Sequence, residues 1–186
     1  MFLMVDNYDS FTYNLVALFR LNGAKVDVIR NTQYKDANEY KGIILSPGPS
    51  NPTNSGSTLD YLDKYTGRTP IFGVCLGMQS IGHYLGYEVR KAKSVMHGKA
   101  DQIKLTRDSK ILEGVTDGFT SVRYHSLAVT APEEMIIAKA GADGECMAIE
   151  DDSRLLYGVQ FHPESILSEC GDIMVKNFMR ICGEDV

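Results

Sequence analysis

The run Gly73-Val74-Cys75-Leu76-Gly77 places a thiol between two glycines, where a short apolar stretch gives way to a helix-forming one. This is the layout of a nucleophile elbow with sulfur in place of a hydroxyl. The glycines permit a sharp turn and close approach of neighbouring backbone, and the N-terminus of the following helix favours an anionic sulfur. Most free cysteines are simply core residues, so Cys75 needs a base and an orienting group to count as a nucleophile. Both lie near the C-terminus. Leu155 to Phe161 reads as a strand that delivers His162-Pro163-Glu164 at its end. Side chains two apart on an extended segment share a side, so Glu164 can hold one imidazole nitrogen of His162 while the other faces the thiol. Cys75, His162 and Glu164 make a candidate catalytic triad.

A third piece is the loop Ser46-Pro47-Gly48-Pro49-Ser50-Asn51-Pro52, which follows the apolar strand Gly42 to Leu45. Ligands bind at the carboxyl ends of strands in open α/β sheets. The prolines lack N–H groups, which leaves the Gly48 N–H to point into a site. Together with the Leu76 N–H it would form an oxyanion hole for a tetrahedral intermediate. Read alone, the loop is an ordinary Pro/Gly turn.

In combination these segments resemble the class I, triad-type glutamine amidotransferases. The similarity also takes in Asp6 to Asn14, Met96-His97-Gly98-Lys99, Arg123-Tyr124-His125-Ser126-Leu127 and Gln160 to Leu167. The opening segment and Phe161-His162-Pro163-Glu164-Ser165-Ile166-Leu167 resemble the glutaminase subunits of chorismate-utilising synthases, which make anthranilate or aminodeoxychorismate. The resemblance implies a flavodoxin-like fold, Cys75 as nucleophile, His162 as general base and acid, and Glu164 as its orienter. It implies that L-glutamine is held by Gly48, Pro49 and Ser50, by Leu76 and Gln79, and by Ser126 and Leu127. It further implies that ammonia passes to a larger chorismate-binding synthase subunit, met partly through Asp6 to Asn14 and His97 to Lys99. The family usually has glycine where this chain has Ser50, and a serine tolerates positive φ poorly. Two other readings predict different behaviour: a self-sufficient cysteine hydrolase, active without a partner, and a non-catalytic binding subunit.

The elements that must position these residues follow from periodicity. Strands are expected at Phe2 to Val5, Lys25 to Arg30, Gly42 to Ser46 and Pro70 to Val74, with helices at Phe11 to Leu21, Ser57 to Tyr65 and Leu76 to Leu85. Such alternation means an α/β fold, an open and mostly parallel sheet with helices on both faces. The middle of the chain, with strands at Ala100 to Leu105, Phe119 to Tyr124, Met135 to Ala140 and Cys146 to Glu150, adds an antiparallel portion. A helix from Asp172 to Ile181 closes the fold. His83 is expected to face other side chains behind Cys75, and His125 to shape the loop of Ser126 and Leu127.

With 186 residues and 44% hydrophobic content the chain can bury one substantial core, and one domain is expected over 1–186. A net charge of -5 argues against a nucleic-acid surface. No apolar run is long enough to span a bilayer, no signal peptide opens the chain, and scattered cysteines suit a reducing cytoplasm. The four cysteines and four histidines lack paired ligand spacing, so no metal or other cofactor is expected.

Overall fold

The computed structural model describes all 186 residues. Phe2–Asp6 (β1), Gly42–Leu45 (β3) and Ile71–Val74 (β4) are apolar runs buried along their whole length, as parallel strands covered on both faces must be. With Val26–Arg30 (β2) and Leu156–Val159 (β9) they pair in parallel in the order β2-β1-β3-β4-β9. The same sheet continues antiparallel through Cys146–Asp151 (β8), Ile136–Ala140 (β7), Glu88–Leu105 (β5) and Phe119–Thr130 (β6). The antiparallel extension therefore has as many pairings as the parallel part.

Two apolar layers follow from the alternation of side chains along each strand. Phe2, Met4, Ile44, Phe72 and Val74 point to one face. There they meet Leu15, Val16 and Phe19 of Thr12–Leu21 (α1) and Met174, Val175 and Phe178 of Gly171–Ile181 (α4). Leu3, Val5, Ile43, Leu45 and Ile71 point to the other. They pack on Tyr61, Leu62 and Tyr65 of Thr58–Tyr65 (α2) and on Met78 and Ile81 of Leu76–Tyr84 (α3).

Four expectations need correction. β5 runs from Glu88, twelve residues ahead of the expected Ala100, and β6 runs on to Thr130 instead of stopping at Tyr124. Arg123 to Leu127 is thus strand, not loop. β9 ends at Val159, and His162 follows two bent residues as an isolated antiparallel bridge to Val122, with Pro163 and Glu164 in a turn. Finally, His83 is exposed on the last turn of α3.

Candidate active site

Cys75 joins β4 to α3 with φ 54° and ψ -105°, a region that L residues occupy only when the surroundings enforce it. The flanking glycines show the enforcement. A Cβ on Gly73 would lie 2.4 Å from the Gly77 carbonyl carbon, and one on Gly77 would lie 2.2 Å from the Leu45 carbonyl oxygen. Only hydrogen fits at either position, so the turn is as tight as the sequence requires and the thiol is held above the strand ends.

The base arrives from the other end of the chain. His162 Nδ1 lies 2.5 Å from Glu164 Oε1, and both side chains are buried. With Glu164 Oε1 as the acceptor, the imidazole proton on that side sits on Nδ1. His162 Nε2 is buried and has no hydrogen-bond partner, which leaves it for the thiol proton. Burial alone would lower the ring's pKa, but the Cys75 sulfur and the Glu164 carboxylate together outweigh it and push the value up to about 10. The raised value describes the ring beside a sulfur anion, the state reached once the thiol proton has moved to Nε2. Phe11 and Tyr124 wall the imidazole, with ring centroids at 5.4 and 5.5 Å.

The proline-rich loop lies against the elbow. A Cβ on Gly48 would meet Asn7 Cβ at 2.5 Å and Leu76 Cδ2 at 2.8 Å, so glycine is required there for the approach. Neither the Gly48 nor the Leu76 N–H has a protein acceptor, and Leu76, as the first residue of α3, has none within its helix. Pro49 and Ser50 are exposed on the loop crest. Ser50 adopts φ 71°, the left-handed region in which its departure from glycine carries strain.

Ser126 and Leu127 lie mid-strand on β6, the former exposed and the latter half-buried. There Lys91 pairs with Leu127 and Met96 with His125, so β5 bulges over four residues opposite the single Ser126. The bulge interrupts the ladder and frees backbone groups of Ser126 for a ligand. Gln79, buried on α3, reaches across to donate to the Leu127 carbonyl at 3.3 Å. The ten sequence-nominated residues thus fall on four segments: the elbow with the first turn of α3, the proline-rich loop, the stretch of β6 opposite the β5 bulge, and the turn after β9.

Sequence reasoning missed Asn7 and Arg123 among the groups that hold these pieces, whereas His125 shapes the Ser126–Leu127 segment as expected. Asn7 donates to the Ser46 carbonyl at 2.9 Å beneath the Gly48 loop, and its Oδ1 accepts from Asn31 and Thr58. Arg123 is fully buried, paired with Asp101 at 2.7 Å and Asp143 at 3.0 Å. His125 bonds the Leu127 carbonyl through Nδ1 and accepts from Arg123 through Nε2. Burial pushes its ring down to about 4, despite the carbonyl's opposing effect and with help from Arg123, so it is neutral at pH 7. A neutral, fully bonded histidine is a scaffold, not a proton carrier.

A thiol on a strained strand-to-helix elbow, a carboxylate-held imidazole beside it and two unpaired N–H groups have the layout that acyl-transfer chemistry requires, on a doubly wound sheet. Sequence comparison agrees: residues 3–182 match the class I glutamine amidotransferase family, and the chain belongs to it. It is 43% identical to anthranilate synthase component 2 of Pseudomonas aeruginosa, over 97% of this chain and 95% of that one. It is 40% identical to aminodeoxychorismate/anthranilate synthase component 2 of Bacillus subtilis, over 100% of this chain and 99% of that one. A solved glutamine amidotransferase from Thermotoga maritima, 15% identical, shares the fold with a TM-score of 0.75 over 98% of this chain and 96% of its own.

Proposed function

We propose that this chain is the glutaminase subunit of a chorismate-aminating synthase, using Cys75 as nucleophile, His162 as base and acid, and Glu164 as orienter. The observation that carries the reading is the buried His162–Glu164 pair beside a thiol on a strained elbow. The Cys75 proton passes to His162 Nε2 as sulfur attacks the side-chain carboxamide carbon of L-glutamine. The Gly48 and Leu76 N–H groups receive the developing oxyanion. His162 then returns the proton to the departing nitrogen, so ammonia leaves and a γ-glutamyl thioester remains. Water, deprotonated by the same nitrogen, releases glutamate and restores the thiol. Gly48, Pro49, Ser50, Gln79, Ser126 and Leu127 surround the substrate. No resident metal or cofactor takes part in this scheme.

Ammonia is useful only if captured before it escapes, so a larger chorismate-binding subunit docks over the site. Four exposed apolar residues suit that face: Tyr8 and Tyr13, on the segment that carries Phe11 to His162, and Ile166 and Leu167, just beyond Glu164. The product is anthranilate, the reaction named for the Pseudomonas aeruginosa relative. Aminodeoxychorismate is the second reading, favoured by the 42% identity to aminodeoxychorismate synthase component 2 of Klebsiella aerogenes. No helix is long and apolar enough to cross a membrane, which suits a cytoplasmic subunit.

The test is glutamate release from glutamine by the chain alone, and with a chorismate-binding subunit plus chorismate, with Cys75→Ser as control. Activity that rises with the partner and vanishes in the variant supports the reading, and the aromatic product names the pathway. Full activity without any partner would leave a self-sufficient hydrolase.

A further inference from the structure

The Cys75 sulfur has two hydrogen-bond neighbours outside the triad. Its S–H points to the Tyr124 carbonyl at 3.6 Å, while the Gln160 side-chain amide donates to the sulfur at 3.5 Å. Once the proton leaves, the carbonyl has nothing to accept, whereas the amide donates to a full negative charge and its bond strengthens. The second contact therefore favours the attacking form of the sulfur.

Which end of the Gln160 amide faces the sulfur is decided by its neighbours. Its Oε1 accepts from Gln79 Nε2 at 3.0 Å, and Gln79 gives its other amide hydrogen to the Leu127 carbonyl. That carbonyl also accepts from His125 Nδ1 at 2.8 Å. The proton must be on Nδ1, because Nε2 accepts from Arg123 Nε at 3.0 Å and a guanidinium has no lone pair to offer. Arg123 is anchored in turn by Asp101 and Asp143. Arginine donates only, which fixes the His125 tautomer; a carbonyl accepts only, so the Leu127 carbonyl, held in place by His125, fixes Gln79 as donor and through it the Gln160 amide. Reversing the Gln160 amide would set its oxygen against the sulfur and its NH₂ against the NH₂ of Gln79. Gln160, Gln79, His125 and Arg123 are all buried, so water does not compete for these bonds.

We propose that Gln160 is a catalytic hydrogen-bond donor to the Cys75 sulfur, that Gln79 locks its amide in the donating orientation, and that Arg123 and His125 are positioning residues that hold the Leu127 carbonyl to which Gln79 donates. The proposal rests on Cys75 being the nucleophile and adds a group that touches the reacting atom. It also defines what Gln79 offers glutamine: both its amide hydrogens are committed and its Oε1 takes no protein hydrogen bond, so it presents an acceptor.

The test is the rate at which iodoacetamide alkylates Cys75 in the full chain at pH 7, read by mass spectrometry on the Cys75 peptide. Gln160→Glu keeps the acceptor for Gln79 but turns an anionic oxygen to the sulfur, and Gln160→Met keeps the size without a donor. Both should slow alkylation about tenfold or more, the worth of a hydrogen bond to a charged group. The kcat for glutamine should fall with it while KM moves less than about twofold. His125→Phe should slow alkylation by a smaller factor, and His125→Asn, whose amide nitrogen falls where Nδ1 was, should restore it. Wild-type or faster alkylation in both Gln160 variants overturns the donor assignment; misfolding would bare the thiol and give the faster rate. A His125→Phe rate equal to wild type overturns the positioning chain. If wild type releases no glutamate even with a partner, yet the Gln160 variants still alkylate slowly, the proposed function falls and the donor stands.

Discussion

The two halves of the sheet serve the site in different ways. The parallel half contributes loops: the elbow after β4, the proline-rich loop after β3 and the turn after β9 all emerge at carboxyl ends of strands whose apolar residues are buried on both faces. The antiparallel half contributes the middle of a strand, β6, where a bulge in β5 interrupts the ladder. The first half is held by hydrophobic layers, which are non-directional and tolerate exchange of shape. The second is tied at the site by a buried cluster of Arg123, Asp101, Asp143 and His125, which is directional and fails when one member is lost. Chemistry and its scaffold are therefore divided between halves that should respond differently to the same kind of perturbation.

The largest separation should come from Cys75→Ser. Loss of the nucleophile should lower partner-stimulated glutamine hydrolysis on the order of 10⁴-fold or more while thermal unfolding stays near wild type; a steady-state assay beside a melting curve checks both. An unchanged rate would mean that the parallel half does not hold the nucleophile.

Arg123→Met should behave in the opposite way, acting first on stability. It leaves Asp101 and Asp143 buried without their cation, which typically costs about 3–5 kcal/mol, measurable by urea unfolding. If the variant is as stable as wild type, the antiparallel half is held by its core alone and the contrast between the halves disappears.

Acid sharpens the contrast. The folded value for His125, about 4, lies below the value near 6.5 of an unfolded chain. The unfolded state takes the proton first, so stability present above pH 6.5 is lost as the pH falls towards 4. The loss should reach about 2 kcal/mol by pH 5. Asp143 and Glu145, both held low against the opposing effect of burial by bonds to Arg123 and Arg90, add in the same direction at lower pH. Denaturant titrations from pH 7 to pH 5 should show this fall, and His125→Asn should flatten it. A fall of the same size in His125→Asn would assign the acid sensitivity elsewhere.

The smallest effect belongs to the loop crest. Ser50→Gly relieves a residue at φ 71° and should stabilise the chain by up to about 1 kcal/mol, allowing for the freer unfolded chain. Calorimetry would read this as a rise in Tm of about 2–4 °C. A lower Tm would mean that the bond from Asn54 to Ser50 Oγ at 3.0 Å outweighs the strain.

The same division explains what could be read in advance. Phe2–Asp6, Gly42–Leu45 and Ile71–Val74 were legible because short, continuous apolar runs bounded by polar, glycine or proline residues have few other meanings. The start of β5 was not. Glu88 to Lys99 is mostly charged or exposed, and what keeps it extended is pairing with β6, which no local pattern announces. His83 and His125 are equally polar in sequence, yet one is exposed and the other sits in a buried chain of hydrogen bonds. Residue type alone does not separate them.

Local chemistry was written in the chain: a thiol between glycines that only a tight elbow satisfies, a histidine two residues from its carboxylate, and a proline-rich loop with a free N–H. These depend on backbone sterics and on neighbours a few positions apart. Which way the Gln160 amide points depends on the folded chain, since its partners Cys75 and Gln79 lie 85 and 81 residues away. Likewise only the fold made Arg123 a buried anchor, with Asp101 and Asp143 some twenty residues to either side. Hydrogen-bond polarity is set by what sits across the gap, and sheet pairing, not sequence spacing, brings those groups together.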